Sequence, residues 1–477
     1  MKILLVNPPA EHIIRESLPP VVEDSTGFYP PLGLLYVAAH AEAIDDCQVK
    51  VFDCQAEGIG YRELSSKITS YGPDVVGIQV MTFTLIDALQ VARTARDAVP
   101  DALIVAGGPH PTIFPEETVL LPEIDVAVQG EGEYTFETLL KALKSGRAIE
   151  NVPGLITKNS IAVGDSLARL NYIKNLDQLR MPARHLLDVS LYSSPLSSHR
   201  LVTTMMSSRG CPGKCIFCDR PQMGKILRKR SPDKVVREMV YCVRELGIGE
   251  IIFYDDTFNI DKKWVLAICE RILSSRLKVR WGIRARIDTM TPEMIRQLRR
   301  AGCTRISYGV ETGNPRLQKV IRKNLDLDQV RKVFTLTKRE GIETLGYFMI
   351  GLPTEKKEEI DKTVDLILSL PMDYAHIALF TPYPGTAIYH QALKEGYYGH
   401  DYWREFARNP EPDFTPRYWN EYLSDPELLR ILKHAYFQFY RRPGYIMQRI
   451  AKVRSANELF QKATLGLKLL KEVAFSK

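Results

Sequence analysis

The chain has 477 residues, of which 45% are hydrophobic and 25% charged, and its formal net charge is +7. This composition is typical of a globular protein, and the length exceeds what a single core accommodates, so two or three domains are expected. So small a charge does not indicate a nucleic-acid partner, and we expect none. The eight cysteines do not form a secreted disulfide framework, and no run of about twenty apolar residues occurs. We therefore expect a cytoplasmic protein.

Short apolar segments alternate with amphipathic ones over residues 1–145. The predicted strands are residues 2–6, 48–53, 74–79, 102–106 and 126–129, and the predicted helices are residues 32–43, 61–71, 86–99 and a last one ending at 143. This order indicates an α/β domain with a parallel, doubly wound, flavodoxin-like (Rossmann-like) sheet. Ligands of such sheets bind beyond the carboxyl ends of the strands. No Gly-x-Gly-x-x-Gly follows the first strand, which argues against a nicotinamide dinucleotide.

Residues 146–199 are predicted to be a connector, with a small hairpin at 154–161. Six strand–helix units follow, and their predicted strands are residues 201–206, 250–254, 280–287, 305–310, 344–350 and 374–380. Six such units indicate a partial parallel (β/α)6 barrel over residues 200–395, with its chemistry at the carboxyl ends of the strands. Residues 396–477 are predicted to be a helical C-terminal region.

The strongest motif follows the first barrel strand and reads Cys211-Pro-Gly-Lys-Cys215-Ile-Phe-Cys218. Soft thiolates at such close spacing suit a transition metal or an iron–sulfur cluster. A closed zinc site needs four ligands. The next candidates along the chain, His199 and Cys242, are too distant in sequence to belong to the motif. Three ligands leave one iron of a cubane open to a further ligand.

With Phe217 in the aromatic position, this motif after a strand resembles that of the radical S-adenosylmethionine (SAM) superfamily. The resemblance implies a [4Fe-4S] cluster on the three cysteines and SAM on the open iron, where reduction cleaves SAM to methionine and a 5′-deoxyadenosyl radical. The SAM-binding residues that the resemblance and the strand ends suggest are Phe217, Asp255, Asp256, Arg284, Arg286, Glu311 and Gly351. As alternatives to SAM binding, Asp255 and Asp256 could cap a helix. Arg284 and Arg286 could pair with Glu311.

Three segments of the first domain, residues 29–36, 77–84 and 107–110, resemble the cobalamin-binding domain that accompanies many radical SAM proteins. The resemblance implies bound cobalamin. It also implies that no histidine binds the cobalt, because the Asp-x-His-x-x-Gly motif is absent. A degenerate domain that binds nothing is the alternative. The predicted cobalamin contacts are Pro8, Leu32, Gly33, Thr82, Thr84, Gly107, Gly108 and His110.

The domain order resembles that of the anaerobic magnesium-protoporphyrin monomethyl ester cyclases and the hopanoid enzymes. It implies a cobalamin-dependent radical SAM enzyme that methylates an unactivated carbon, or a radical cyclase or rearrangement enzyme acting on a tetrapyrrole or lipid-like substrate. A non-catalytic corrinoid carrier or redox sensor is a further alternative. A tRNA methylthiotransferase would need a second cluster in the N-terminal domain, where only Cys47 and Cys54 occur.

The expected partners are a small-molecule substrate, flat or lipid-like, and a reducing electron donor such as flavodoxin or ferredoxin. An aromatic-rich stretch at residues 397–422 could form a lid over the substrate, but the more common role of such rings is burial. The tail from residue 445 to 477 alternates apolar and basic residues at helical spacing. It could contact a membrane surface peripherally or pack against the body.

Overall fold

A computed structural model of the protein describes residues 1–15, 27–162, 170, 172–194, 197, 201–219 and 223–451. Two six-stranded sheets dominate these residues, and a two-stranded ribbon lies beside the second sheet. The α/β prediction of a doubly wound sheet followed by a partial barrel is confirmed. No helix in the described ranges is long and apolar enough to cross a membrane.

The first sheet has the strand order β2-β1-β3-β4-β5-β6, parallel except for β6 at one edge. Its strands are β1 (Lys2–Asn7), β2 (Gln48–Asp53), β3 (Val75–Gln79), β4 (Leu103–Gly107), β5 (Val126–Val128) and β6 (Leu155–Thr157). Its helices are Leu32–Ala41, Cys54–Glu57, Tyr61–Tyr71, Leu85–Ala98, Pro109–Ile113, Pro115–Leu120, Gly132–Lys144 and Lys158–Ala162. The hairpin predicted at 154–161 is wrong, because β6 pairs with β5 and a short helix follows it.

Both faces of this sheet are buried, as the continuous apolar strands require. Ile3 and Leu5 of β1 belong to one core, with residues of helices Leu32–Ala41 and Gly132–Lys144. Leu4 and Val6, which point the opposite way, belong to a second core on the other face. With both faces covered, a ligand reaches this sheet at its strand ends.

The second sheet has the order β14-β13-β12-β11-β10-β7 and is parallel throughout. The remaining strands are β7 (Val202–Met205), β8 (Ser208–Arg209), β9 (Arg228–Lys229), β10 (Glu250–Phe253), β11 (Arg280–Ala285), β12 (Cys303–Glu311), β13 (Glu343–Ile350) and β14 (Tyr374–Leu379). The helices are Pro232–Arg244, Lys262–Ser274, Pro292–Arg300, Pro315–Val320, Leu327–Arg339, Lys357–Ser369, Ala387–Lys394, Tyr402–Arg408, Asp425–Tyr440 and Pro443–Ala451.

Local sequence explains where the barrel helices begin. The Ser231 hydroxyl accepts a hydrogen bond from the Lys234 amide, and Thr291 caps Met294 in the same way. A proline follows each cap, where its missing N–H costs nothing. These caps start each helix directly after the loop at the carboxyl end of a strand.

The aromatic stretch of the C-terminal region is largely buried. Trp403 and Phe406 belong to the core that also covers one face of the first sheet, and Tyr397 stacks on Trp419 with ring centroids 4.1 Å apart. Tyr422 is an exception, at 55% exposure. These rings therefore join the first sheet to the barrel. Most of the basic tail lies outside the described residues, so its membrane contact stays a prediction.

Candidate functional site

The cysteine motif is held between β8 and β9, which pair antiparallel on either side of it. Gly210 has φ = +85°, and a Cβ on it would lie 2.3 Å from the Ile226 carbonyl oxygen, so only glycine fits. The Gly210 amide donates to an Asp256 carboxylate oxygen at 3.0 Å, and the Cys211 amide donates to the Gly224 carbonyl at 3.2 Å. The backbone that enters the motif is thereby fixed.

The three thiols share one short loop and are all unbonded to other cysteines. Cys215 is buried, Cys211 is half-buried and Cys218 is exposed. Desolvation, followed by the Asp256 carboxylate and the two other thiols, raises the pKa of Cys218 to about 12.

The thiol geometry differs from that of a single-ion site. Among the described residues, no three His, Cys, Asp or Glu side chains converge as ligands of one metal ion. A cubane does not require such convergence, because each thiolate binds a different iron. The soft donor set therefore fits a cluster.

The two aspartates after β10 have different environments. Asp255 is fully buried, and its carboxylate accepts bonds from the Ser207 amide and from the Ser207 and Ser208 hydroxyls at 2.6–2.8 Å. Burial raises its pKa to about 6. Both oxygens of Asp255 accept hydrogen bonds inside the core, and its contact with SAM stays a prediction. Asp256 is exposed and holds Gly210, beside the cysteines.

Arg284, near the end of β11, and Arg286, just after it, also have different environments. Arg284 is exposed, and its guanidinium lies over the Tyr254 ring, 4.4 Å from the centroid. Arg286 forms an ion pair with Asp288 at 2.6 Å and donates to the Cys215 sulfur at 3.8 Å. Neither has an ion pair with Glu311 among the described residues. Arg286 thus braces the cysteine loop, and its contact with SAM stays a prediction.

Glu311 ends β12 in a left-handed conformation, with φ = +73°. Its carboxylate forms an ion pair with the Lys323 amine at 2.5 Å, and a Cβ on Gly309 would collide with both groups. The Lys323 amine also lies 6.0 Å from the Phe217 ring centroid. This places Phe217 and Glu311 around one lysine near the cysteine loop.

The predicted contact at Gly351 has a competing partner. Its amide donates to the Glu355 carboxylate at 2.7 Å, and the Leu352 amide donates to the same oxygen at 2.9 Å. The amide of Gly351 is therefore occupied by Glu355 in this conformation, and the contact of Gly351 with SAM stays a prediction.

A cavity of about 580 Å³ opens at the carboxyl ends of the first sheet. One wall comes from that sheet and its glycine-rich loops, including Leu5, Gly33, Gly107 and Val128. The opposite wall comes from Met206, Arg209, Met223 and Tyr254, which surround the cysteine loop. The cavity therefore lies between the two sheets and touches the surroundings of both predicted cofactor sites.

Four of the eight predicted cobalamin contacts line this cavity, namely Leu32, Gly33, Gly107 and Gly108. A Cβ on Gly33 would meet no atom within 4 Å, and one on Gly107 only Val128 at 4.0 Å, so both positions face open space. Such bare backbone is what a large polar ligand lying close to the chain needs.

The other four predicted contacts, Pro8, Thr82, Thr84 and His110, do not line the cavity. His110 is fully buried, where desolvation lowers its pKa to about 3, and it contacts the Thr82 hydroxyl at 3.1 Å. Thr84 caps the Met81 amide, and the Pro8 carbonyl accepts from Gln55. These four residues make contacts within the first domain, and their direct contact with cobalamin stays a prediction.

The sequence analysis missed two polar groups in the cavity wall. Asn7 donates to the Asp53 carboxylate at 2.7 Å, whose other oxygen accepts from the Tyr192 hydroxyl at 2.8 Å. Glu131 and Glu133 both form ion pairs with Arg209, at 3.1 and 2.5 Å. The two acids on either side of Gly132, shortly after β5, are visible in the sequence as candidate polar groups. Their partner Arg209 could not be identified, because it lies far away in the sequence.

Comparison with known proteins decides the family. The Radical SAM superfamily model matches residues 205–367, and the B12 binding domain model matches residues 19–140. An uncharacterized methyltransferase of Pyrococcus horikoshii is 34% identical over 94% of this chain and 95% of its own. The chain belongs to the cobalamin-binding branch of the radical SAM superfamily. The cofactors of this enzyme are accordingly a [4Fe-4S] cluster, SAM and cobalamin.

Two further similarities define the neighbourhood of this radical SAM enzyme. The anaerobic magnesium-protoporphyrin IX monomethyl ester cyclase of Rubrivivax gelatinosus is 28% identical over 76% of the chain and 66% of its own length. The fold resembles that of the radical SAM methyltransferase TsrM of Kitasatospora setae, with a TM-score of 0.66, 20% identity and coverage of 83% and 75% of the two chains. The latter similarity shows the fold alone.

Proposed function

We propose that this enzyme transfers a methyl group to an unactivated carbon of a small-molecule substrate. The observation that supports this most is that one cavity has walls from both cofactor-binding parts of the chain. A methyl carrier and a site that creates a substrate radical must face the same substrate atom. The methyltransferase name of the relative from Pyrococcus horikoshii agrees with this proposal.

When bound, the cluster supplies the electron that cleaves SAM, and cobalamin carries the methyl group. In our proposal Cys211, Cys215 and Cys218 hold the cluster, and Arg286 fixes Cys215. Gly33 and Gly107 leave room for cobalamin against the backbone of the first sheet.

The concave face of the barrel supports a substrate site. Phe253, Ile283 and Phe348 belong to the core beneath the helices, so the next residue of each extended segment is on the opposite face. On that face lie the half-buried Tyr254 and the exposed Arg284. A ring beside an unburied cation suits a substrate, or SAM itself, with a flat part and an anionic group.

The electron comes, in our proposal, from a reducing protein such as flavodoxin or ferredoxin. Pro212 and Lys214, which lie between the first two cysteines, are exposed. The loop is therefore accessible to a docking partner on that side.

A radical cyclase is the second candidate, since the cyclase of Rubrivivax gelatinosus is a relative over three quarters of the chain. A methylthiotransferase finds less support. Of the two cysteines in the first domain, Cys54 is only 2% exposed in its core.

Anaerobic turnover with SAM that carries a trideuterated methyl group, in cell extract, separates these functions. We expect a product with the intact labelled methyl group, together with 5′-deoxyadenosine and S-adenosylhomocysteine. The Cys215→Ala protein is the control and should give neither the labelled product nor 5′-deoxyadenosine. An unlabelled product formed with 5′-deoxyadenosine would favour the cyclase. The absence of 5′-deoxyadenosine would favour the carrier or sensor.

A further inference from the structure

Three buried charged residues, Arg209, Glu131 and Glu133, join the first sheet to the ribbon around the cysteines, together with the half-buried Arg228. Arg209 of β8 is 5% exposed and forms ion pairs with Glu131 at 3.1 Å and with Glu133 at 2.5 Å. Arg228 of β9 contacts the other oxygen of Glu131 at 2.7 Å. The two acids follow β5 of the first sheet, so the cluster of charges spans both parts of the chain. Charges removed from water must keep their partners.

The pairing is specific to a guanidinium. Its planar fork reaches two carboxylates at once, whereas a lysine ammonium is a single point charge. Burial alone would raise the pKa of Glu133, but the adjacent Arg209 overrides it and lowers that pKa. Arg209 also lies over the Tyr36 ring, 5.2 Å from its centroid. Its position is therefore determined by the first domain.

The same arginine is two residues from the first cysteine. Gly210, which connects them, is in a conformation that permits no side chain, and its amide is held by Asp256. Because the backbone at Gly210 has little conformational freedom, a shift of Arg209 also moves Cys211. Arg209, Glu131 and Glu133 all line the cavity at the first sheet.

We propose that Arg209 is a positioning residue that couples occupancy of the cobalamin cavity to the geometry of the cysteine loop and hence to SAM binding. A ligand in the cavity contacts the segment that carries Glu131 and Glu133, which line that cavity. The two acids hold Arg209, so a displacement of this segment reaches Cys211 through Arg209. The coupling is reciprocal, because linkage requires each ligand to change the affinity of the other by the same factor.

The test measures SAM affinity by calorimetry on protein with a reconstituted, oxidised cluster, without and with hydroxocobalamin. Allosteric couplings commonly correspond to factors of about fivefold or more, and we expect hydroxocobalamin to tighten SAM binding by at least about that much in the unmodified protein. In Arg209→Lys, which keeps the charge, and in Glu133→Gln, we expect this factor to fall towards one. SAM affinity without cobalamin is measured in every variant, and the coupling factor is the ratio of the two SAM affinities within that variant, so a change in basal affinity does not enter it.

Arg184→Lys is the matched control. Arg184 is 1% exposed and pairs with Glu238 at 2.8 Å, and it has no ion pair with Glu131 or Glu133 among the described residues. This variant should keep the full coupling. Mössbauer spectra of 57Fe, which do not detect cobalt, supply an independent signature. Cobalamin should alter the iron spectrum of the unmodified and Arg184→Lys proteins and leave that of Arg209→Lys unchanged.

Two results would overturn the proposal. One is full coupling in Arg209→Lys with an intact cluster. The other is an unmodified protein whose SAM affinity and iron spectrum do not respond to cobalamin, which decides the matter even where a variant fails to fold.

Discussion

The residues at the carboxyl ends of the strands differ in chemical character between the two sheets. The edge of the first sheet offers bare backbone and apolar side chains, with Gly33 and Gly107 facing open space. The edge of the barrel offers thiols, acids and guanidinium groups, with Arg286 against Cys215. The first edge suits a large ligand held by shape, and the second suits a metal cluster held by bonds to side chains. Single substitutions should therefore act differently at the two edges.

The largest effect is expected at Cys215. Its replacement by alanine removes a buried thiol that contacts Arg286 and that we propose as a cluster ligand, so the visible absorption of the cluster and the bound iron should be lost. Corrinoid content should be unchanged, since the cavity wall is intact. Cys47→Ala, in the first domain, is the control and should keep the cluster. Iron retained in Cys215→Ala would place the cluster elsewhere.

Gly33→Leu should produce the opposite result. A side chain there meets no protein atom within 4 Å and points into the space where we expect cobalamin, so corrinoid bound after purification should fall about tenfold or more. Iron content should match that of the unmodified protein. Gly399→Leu, at an exposed glycine that also has open space, should bind corrinoid normally. Normal corrinoid in Gly33→Leu would contradict the assignment of the cavity.

A smaller effect is expected at Lys323, whose amine is paired with Glu311. Lys323→Met leaves that carboxylate without its charged partner beside the predicted SAM site. A charged hydrogen bond contributes about 1.5–3 kcal/mol, so SAM affinity measured by calorimetry should weaken about tenfold or more. Lys319→Met, on the exposed side of the same segment, should have no effect. Equal SAM affinity in both variants would contradict the predicted contact between Glu311 and SAM.

The smallest effect concerns stability at Glu355, which is 4% exposed and whose second oxygen has no hydrogen-bond partner. Burial raises its pKa from 4.5 to about 7. Because the folded-state pKa is the higher one, the stabilisation is complete below pH 4.5 and is lost as the pH rises through about 7. The loss corresponds to about 3 kcal/mol for a shift of this size.

Glu355→Gln cannot ionise, so its melting temperature should change less between pH 5 and pH 8 than that of the unmodified protein. Thermal unfolding at several pH values measures this difference. Parallel curves for the two proteins would show that Glu355 ionises as freely in the folded state as in the unfolded one.

The fold was predictable from the sequence to a large extent. The strand at Gln48–Asp53 and the helix at Tyr61–Tyr71 have the predicted bounds, because apolar periodicity is strong in both. The cysteine motif was recognisable because metal-binding side chains must be close together in the chain. The edge strand β6 was missed, because three residues carry too little pattern to distinguish a sheet edge from a hairpin.

The sites at the sheet edges were only half predictable. Asp255 and Asp256 are neighbours in sequence, but one is held by Ser207 inside the core and the other is exposed near the cysteines. His110 was predicted to contact cobalamin, but it is buried and does not line the cavity. The sequence around it does not reveal this burial. The contacts of Arg209 with Glu131 and Glu133 depend on how two domains pack, and no local pattern encodes that packing.

The central claim is that the cluster and cobalamin face one cavity between the sheets. Electron paramagnetic resonance tests it most directly, on protein that holds a reduced cluster together with cobalamin in its paramagnetic Co(II) state. The account predicts that each centre broadens the signal of the other and shortens its relaxation, and that Gly33→Leu protein shows the cluster signal alone. A spectrum equal to the sum of two undisturbed signals would contradict it.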